Sequence, residues 1–225
     1  MSKFLKILFN TLLWIFVSSV YLVLIYKYFN PPITPIIAIR AFENIMEGEL
    51  TGIHKKWVNY EDVSPYMFQA IVGAEDARFR NHSGIDWRAV RDAQAYNRRN
   101  EGKKKRGAST VTMQTAKNTF LNHSRNFIRK GFEAYFTYMI EAIWGKHRIL
   151  EMYVNVVEFG DGIYGVESAS RKFFNKSSED LTRREAALMA AVLPNPRRWS
   201  PAAPTAYIKK RVNWIMGRMG PALIP

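Results

Sequence analysis

The stretch around Glu75 contains the residues of this chain that are best suited to acid–base chemistry. A helix predicted after residue 64 has a single buried stripe at i, i+3 and i+4 spacing, formed by Phe68, Ile71, Val72, Glu75 and Phe79. A carboxylate on such a stripe would lose hydration and could hold or take a proton near neutral pH, as a catalytic acid or base does. The alternative interpretation is that Glu75 lies at the edge of the stripe, in a structural ion pair with Arg78 or Arg80.

Two further segments contain groups that can bind an anion. Residues 107–118 start with glycine and are rich in hydroxyls, and backbone N–H groups at a helix start bind anions well. Lys117 adds a point charge two turns further on. Residues 125–133 supply more cations and a second carboxylate, Glu133, beside a stripe of aromatic side chains. The alternative for this segment is that Arg129 and Glu133 form only a surface ion pair, worth a few tenths of a kcal/mol.

The composition indicates an anionic partner and excludes several kinds of site. The formal net charge is +14, with 33 lysines and arginines against 19 acidic residues. Such an excess favours lipid phosphate, a phosphate-bearing substrate or nucleic acid. The absence of cysteine excludes disulfides, thiolate nucleophiles and cysteine-type zinc sites. Four histidines lack the spacing of metal ligands, so no dedicated metal site is expected: His54, His82, His123 and His147.

The N-terminal region is predicted to be an uncleaved membrane anchor. Residues 7–26 carry no charge, and about twenty helical residues span roughly 30 Å, the thickness of a bilayer's hydrocarbon core. Aromatic residues suited to the interface follow, and no small-residue cleavage site is present. Lys3 and Lys6 precede the span and Lys27 follows it, which favours an N-terminus inside and the rest of the chain outside. The anchor therefore favours lipid phosphate over nucleic acid as the anionic partner.

We divide the chain into an anchor at residues 1–30, a linker and lead-in segment at residues 31–54 and a globular domain at residues 55–225. The domain is predicted to be all-α, because its apolar residues follow helical spacing almost throughout. One helix is predicted from Pro65 onward behind the cap Ser64, and others at Trp87–Asn97 behind the cap Asp86, Ser109–Asn118, 126–144, Lys146–Val157 and Ala186–Leu193. Gly145 breaks the run between two of them, and Thr182 and Glu185 form a capping box before the last. One apolar stripe is expected on 126–144 (Phe132, Phe136, Met139, Ile140 and Ile143) and another on Lys146–Val157 (Ile149, Leu150, Tyr153 and Val154).

Two segments look different from this helical pattern. A short strand is predicted near Ile36–Ile39. The segment Gly160–Gly165 matches Gly-x-Gly-x-x-Gly, but it lacks the strand and helix that flank a dinucleotide site. We interpret these glycines as a tight turn that allows close packing.

Four motifs occur in order along the domain. They are Glu75-Asp76-x-x-Phe79-x-x-His82-x-Gly84, Gly107-x-Ser109-Thr110-x-x-x-Gln114-x-x-Lys117-Asn118, Arg129-Lys130-x-x-Glu133 and Lys146-x-x-Ile149-Leu150-Glu151-x-Tyr153-x-Asn155. Over roughly residues 55–200 the chain resembles the family 51 glycosyltransferases, which polymerise peptidoglycan. Because the chain ends at Pro225, we expect a monofunctional member that lacks the transpeptidase domain of the class A penicillin-binding proteins.

The resemblance implies a lysozyme-like glycosyltransferase domain whose substrates are lipid II and the growing lipid-linked glycan. It implies that Glu75 is the general base and that Glu133 is a second essential carboxylate on the leaving-group side. The remaining motif positions, expected to bind substrate, are Asp76, Phe79, His82, Ser109, Thr110, Gln114, Lys117, Asn118, Arg125 and Arg129. A divalent cation, Mg²⁺ or Mn²⁺, is compatible with this chemistry if the substrate's pyrophosphate holds it.

The same resemblance implies a single-pass protein of the cytoplasmic (inner) membrane with its catalytic domain on the outer, periplasmic side. Cell-wall synthesis or division proteins are candidate partners, and nucleic acid is not expected. Two alternatives remain open from the sequence. One is a peptidoglycan-cleaving enzyme of lysozyme-like fold, and the other is an anchored, non-catalytic scaffold that binds anionic lipid or a division partner.

Overall fold

The computed structural model describes residues 2–46, 48, 52–102, 105–124 and 126–225. Within them the chain is mostly helical, as predicted. The helices are α1 (Lys3–Tyr28), α2 (Pro35–Met46), α3 (Pro65–Glu75), α4 (Trp87–Arg99), α5 (Val111–Phe120), α6 (Phe127–Ile143), α7 (Gly145–Val156), α8 (Val166–Phe174), α9 (Arg183–Val192) and α10 (Ala206–Met216). The strands are β1 (His54–Lys55), β2 (Glu158–Gly160) and β3 (Ile163–Tyr164).

Helix α3 is the centre of the core. Its residues from Met67 to Gly73 are buried, and it packs against α9 and α10. Helix α5 packs against α6 and α7, and its Gln114 contacts Glu75 at the end of α3. The predicted stripe of α7 is fully buried, because Ile149, Leu150, Tyr153 and Val154 are all 0% exposed. This arrangement places the end of α3, with Glu75, beside α5.

Several predicted helix ends are confirmed by their hydrogen bonds. Asp86 caps α4 by accepting from the Ala89 N–H, and Thr182 and Glu185 form the predicted capping box of α9. Gly145, at φ +78°, separates α6 from α7. Ser64 stands at the cap position of α3, but its hydroxyl donates to the buried Leu181 carbonyl instead.

The strand predictions need correction. The segment Ile36–Ile39 is helical: it lies in α2, where Ile36 and Ile37 are buried and Ile39 is 37% exposed. A short apolar run does not distinguish a strand from a helix with one buried face. Three strands that were not predicted form a small sheet in the order β1-β3-β2, with β1 parallel and β2 antiparallel to β3. The segment Gly160–Gly165 makes the tight turn between β2 and β3 that was expected of it.

The stripe predicted on α6 is only partly correct. Phe136 and Ile140 are buried, at 9% and 0% exposed. Phe132 was expected on the same buried face, but it is 48% exposed. The reason is that the first turns of α6 lie beside α1 rather than against the domain core.

Helix α1 is long and apolar enough to cross a bilayer, with a mean hydropathy of 2.1. It packs beside α6, and near its C-terminal end Val23 is part of the core and its carbonyl accepts from Trp144 Nε1 at 2.7 Å. Arg148 donates to the Tyr26 carbonyl at 2.9 Å, and Lys55 Nζ donates to the Pro31 carbonyl at 2.6 Å. Burial lowers the pKa of Lys55 to about 8. The anchor is thus held against the domain by several side-chain contacts at the end of the helix.

Candidate active site

Glu75 is the last residue of α3 and lines an open cavity of about 390 Å³. Its side chain is 16% exposed. One carboxylate oxygen accepts from Gln114 Nε2 at 3.0 Å, and the other pairs with Arg211 Nη2 at 3.1 Å. Ser109 and Thr110 line the same cavity. The carboxylate is therefore partly desolvated, compensated by one cation and still open to a ligand.

The partners suggested for Glu75 in the alternative interpretation are wrong. Arg78 makes two hydrogen bonds to Asp86, at 2.8 and 2.9 Å, and Arg80 donates to the Ala222 carbonyl. The cation beside Glu75 is Arg211 of α10, which lies 136 residues further along the chain.

A buried tyrosine orients the amide that faces Glu75. The Tyr153 hydroxyl donates to Gln114 Oε1 at 3.2 Å, which leaves Gln114 Nε2 free to donate to Glu75. Burial raises the pKa of Tyr153 well above its ordinary value, and the charges of Glu75 and Asp76 add to this. Tyr153 consequently stays protonated and remains a donor.

Asp76, the residue after Glu75, fixes the start of α5. It is 7% exposed, and its Oδ2 accepts from the Val111 N–H at 3.0 Å. Both of its oxygens also face His82 Nε2, at 2.9 and 3.0 Å. Phe79 is fully buried, with its ring edge-on to His82. These three motif residues contact one another and the start of α5, and thereby stabilise the wall of the cleft.

Two residues of the hydroxyl-rich segment line the cavity of Glu75: Thr110, which is buried, and Ser109, which is exposed. Thr110 is the cap of α5: its hydroxyl accepts from the Met113 N–H and donates to the Gly84 carbonyl at 2.5 Å. Gly84 has φ +91°, and a Cβ atom there would lie 2.7 Å from Thr137 Cγ2, so only glycine fits. Ser109 lies outside the helix and is exposed in the cavity, two residues before the true start of α5.

The last turns of α5 carry the remaining motif residues of this segment. Lys117 is half-buried, and Asn118 is 9% exposed. They follow Gln114 by three and four residues, so they share its face of the helix. Gln114 contacts Glu75 from this face.

Glu133 is held more tightly than Glu75. It lies in α6 with its side chain 4% exposed, and its two oxygens pair with Arg129 Nη1 at 2.5 Å and with Lys130 Nζ. Arg129 Nε is buried and has no hydrogen-bond partner in the described part of the chain. A buried donor without a partner favours a ligand acceptor at this point. Helix α5 packs against α6 and contacts Glu75 through Gln114, so both carboxylates lie on elements that border α5.

Two further expectations concern Arg125 and a metal site. Arg125 lies outside the described residues. Across the described ranges, no group of three or more His, Asp or Glu side chains could hold a metal ion.

The chain is similar to known proteins over most of its length. The model of a family described as Transglycosylase matches residues 43–220. A relative from Bdellovibrio bacteriovorus is 46% identical over 95% of this chain and 85% of its own length. Others from Rhodospirillum centenum and Shewanella oneidensis are 50% and 45% identical, covering 86% and 92% of the chain and 81% and 87% of their own length. All three are named biosynthetic peptidoglycan transglycosylase.

The chain belongs to the transglycosylase family. Membership confirms the prediction of an all-α, lysozyme-like domain and of an enzyme that makes peptidoglycan glycan strands for the cell wall.

Sequence reasoning missed two residues of this transglycosylase site. Tyr153 is part of the fourth motif, but its position in a buried apolar stripe hid its hydrogen bond to Gln114. Arg211 lies in the basic run Lys209-Lys210-Arg211, where no local pattern separates it from two exposed lysines. A predicted contact between α3 and α10 would have been needed to find it.

Proposed function

We propose that this transglycosylase polymerises lipid II with Glu75 as the general base and with Arg129, Lys130 and Lys117 as the cations that receive the pyrophosphate leaving group. The observation that carries the proposal is the state of Glu75. Its side chain lies in an open cleft and contacts one cation and one amide, and its oxygens keep further lone pairs that could accept a substrate proton.

Glu75 suits the role of a base because a base must be ionised before the reaction begins. Arg211, at 3.1 Å, and Gln114, at 3.0 Å, fix the orientation of the carboxylate. The acceptor's 4-hydroxyl would give its proton to Glu75 while its oxygen attacks C1 of the donor sugar. The C1–O bond to pyrophosphate breaks as the new β-1,4 bond forms, so the configuration at C1 is inverted and undecaprenyl pyrophosphate leaves.

The leaving group needs positive charge more than it needs a proton. Pyrophosphate departs as an anion, and fixed cations aimed at the developing charge stabilise it most. Glu133 holds Arg129 and Lys130 in place, and the unpartnered Arg129 Nε is one donor available to a phosphate oxygen. Ser109 and Asn118 are proposed as substrate contacts, whereas Asp76, Phe79, His82 and Thr110 are proposed to shape the cleft. A divalent cation bound to the pyrophosphate would add charge at the same place.

The location of the protein follows from α1 and the charge pattern. We infer a single-pass anchor in the cytoplasmic membrane, with the catalytic domain on the outer side. This is supported by the apolar helix α1 and by Lys3 and Lys6 in its first turns, which precede the uncharged residues 7–26. Lipid II, which bears a pyrophosphate and a long isoprenoid chain, would reach the domain from the bilayer. Cell-wall synthesis or division proteins as partners remain a further proposal.

The decisive experiment incubates purified full-length protein with labelled lipid II and compares wild type with Glu75→Gln. We expect wild type to form glycan that lysozyme digests and penicillin does not inhibit, and the variant to form none. A peptidoglycan-cleaving enzyme would instead release soluble fragments from isolated cell walls. A scaffold would bind vesicles equally well in both forms and polymerise nothing.

A further inference from the structure

One face of α10 contacts the end of α3 where Glu75 lies. Arg211, Trp214 and Arg218 follow one another at i, i+3 and i+7 spacing, which places them on one side of the helix and of the turn that follows it. Arg211 pairs with Glu75, and Arg218 Nε donates to the Gly73 carbonyl at 3.2 Å. Trp214 lies between these two arginines and lines the cavity of Glu75.

The indole of Trp214 is held in place although it is open to solvent. Trp214 is 47% exposed. The guanidinium of Arg218 lies over its ring, 4.5 Å from the ring centre, and that of Arg211 lies 5.9 Å away. Gly73 allows Arg218 to come this close, because a Cβ atom at Gly73 would lie only 3.3 Å from the Arg218 carbonyl oxygen. An exposed ring that its neighbours already hold is preorganised for a ligand.

The groups around this ring suit a sugar. A pyranose presents C–H groups on its face and hydroxyls at its rim. An aromatic ring packs against the face, while carboxylates and arginines hydrogen-bond to the hydroxyls. The cavity of about 390 Å³ offers Trp214 for the face and Glu75 for a hydroxyl, and Arg106 and Arg218 are further donors at its wall.

The leaving-group cations indicate which sugar would lie against the indole. In an inverting displacement the attacking hydroxyl and the leaving pyrophosphate lie on opposite sides of C1. Lys117, Arg129 and Lys130 are not among the described residues that line the cavity, whereas Glu75 is. The cavity therefore suits the sugar whose hydroxyl is deprotonated better than the sugar that loses pyrophosphate.

We propose that Trp214 is a substrate-positioning residue, whose exposed ring stacks against the terminal sugar of the acceptor and holds its 4-hydroxyl at Glu75. The proposal rests on the function proposed above and adds to it the residue that orients the acceptor. Arg218 contributes indirectly, by holding the indole. Loss of the ring should consequently weaken the binding of the acceptor and leave that of the donor unchanged.

The test measures donor and acceptor separately, with two substrates that each have one role. A lipid-linked glycan whose terminal 4-hydroxyl is blocked can act only as the donor. A lipid II analogue with a methylene group in place of the oxygen between C1 and phosphorus can act only as the acceptor. The rate at which the two are coupled then gives a KM for each.

We expect Trp214→Leu to raise the KM for the acceptor by about tenfold, the size of one lost aromatic contact, and to leave the KM for the donor as in wild type. Trp214→Tyr keeps a ring, so its KM for the acceptor should stay within about threefold of wild type. Tyr66→Leu is the control. It removes a ring that is 40% exposed at the opposite end of α3, outside the cavity, and should match wild type with both substrates.

The melting temperature of each variant shows that the protein compared is folded. Three results would each overturn the assignment: an unchanged KM for the acceptor in folded Trp214→Leu, equal rises in both KM values, or a Trp214→Tyr variant as impaired as Trp214→Leu.

Direct binding tests the same contact without turnover. In protein with isotope-labelled tryptophan, the indole N–H signal of Trp214 is the one missing from the spectrum of Trp214→Tyr. We expect this signal to move when the disaccharide of lipid II, without lipid or peptide, is titrated in. A Trp214 signal that stays in place would contradict the proposal. If wild type coupled no substrates at all, the proposed function would fail, and the titration would still decide whether Trp214 binds a sugar.

Discussion

Glu75 on α3 and Glu133 on α6 are the two glutamates of the candidate site, but their surroundings differ. The Glu75 side chain is 16% exposed and has one cationic partner, whereas the Glu133 side chain is 4% exposed and has a cation on each oxygen. An oxygen that is partly free can accept a proton, while a carboxylate saturated by two cations instead fixes their positions. The two environments support the proposed roles, proton transfer for Glu75 and leaving-group stabilisation for the cluster around Glu133.

The strongest test of this contrast is Glu75→Gln. We expect turnover of lipid II to fall by about a thousandfold or more, because an amide cannot take the acceptor's proton. The fold should persist, since an amide can still hydrogen-bond to Gln114. Glycan formation and the melting temperature measure the two effects separately. A variant with about a tenth of wild-type activity or more would remove Glu75 from the role of base.

A smaller loss is expected for Glu133→Gln, about a hundredfold in kcat, since the cations remain but are no longer held in position. Lys130→Met is the control that removes one cation and keeps the carboxylate. The pH–rate profile distinguishes the two glutamates. Glu133→Gln should keep the acid limb of the profile, and its disappearance would mean that Glu133, not Glu75, exchanges the proton.

Arg211→Gln is expected to reduce activity by about tenfold, an effect of the size of one lost charged contact. Without the cation at 3.1 Å, the Glu75 carboxylate loses a contact that fixes its position, so kcat should fall while KM stays near the wild-type value. Lys210→Gln removes an exposed charge from the preceding position of α10 and serves as the control. A wild-type kcat in Arg211→Gln would show that the ion pair does not position the base.

The Arg211 contact also marks the limit of what the sequence predicts. Local spacing was enough for the stripe of α3, the caps of α4 and α9 and the break at Gly145, because each depends on residues a few positions apart. The partner of Glu75 lies 136 residues away, and no local pattern gives that pairing. The side-by-side packing of α1 and α6, which exposes Phe132, is equally non-local. The short apolar run of α2 was misassigned because its burial depends on β3, a strand too short to be seen in the sequence.

Glu167 shows how several hydrogen-bond and ion-pair partners change the pKa of a buried glutamate outside the candidate site. Glu167 is 1% exposed, accepts from the Ser178 N–H at 2.8 Å, and pairs with Arg171 and Lys56. Burial alone would raise its pKa, but the Ser178 backbone and hydroxyl, Arg171 and Lys56 together outweigh burial and lower the pKa from 4.5 to about 2. Glu167 does not line the cavity of Glu75.

The smallest effect on activity is therefore expected for Glu167→Gln, together with a clear effect on stability. Because the folded pKa lies below the unfolded one, the unfolded chain binds more protons between pH 4.5 and about 2. The stabilisation by Glu167 is complete above that window and is lost as the pH falls through it, by about 3 kcal/mol in the free energy of unfolding. In Glu167→Gln this part of the acid destabilisation should disappear, the protein should melt earlier at pH 7, and turnover per folded molecule should match wild type. A large loss of turnover at pH 7 in fully folded Glu167→Gln would mean that the number of partners around a glutamate does not distinguish a structural from a catalytic role.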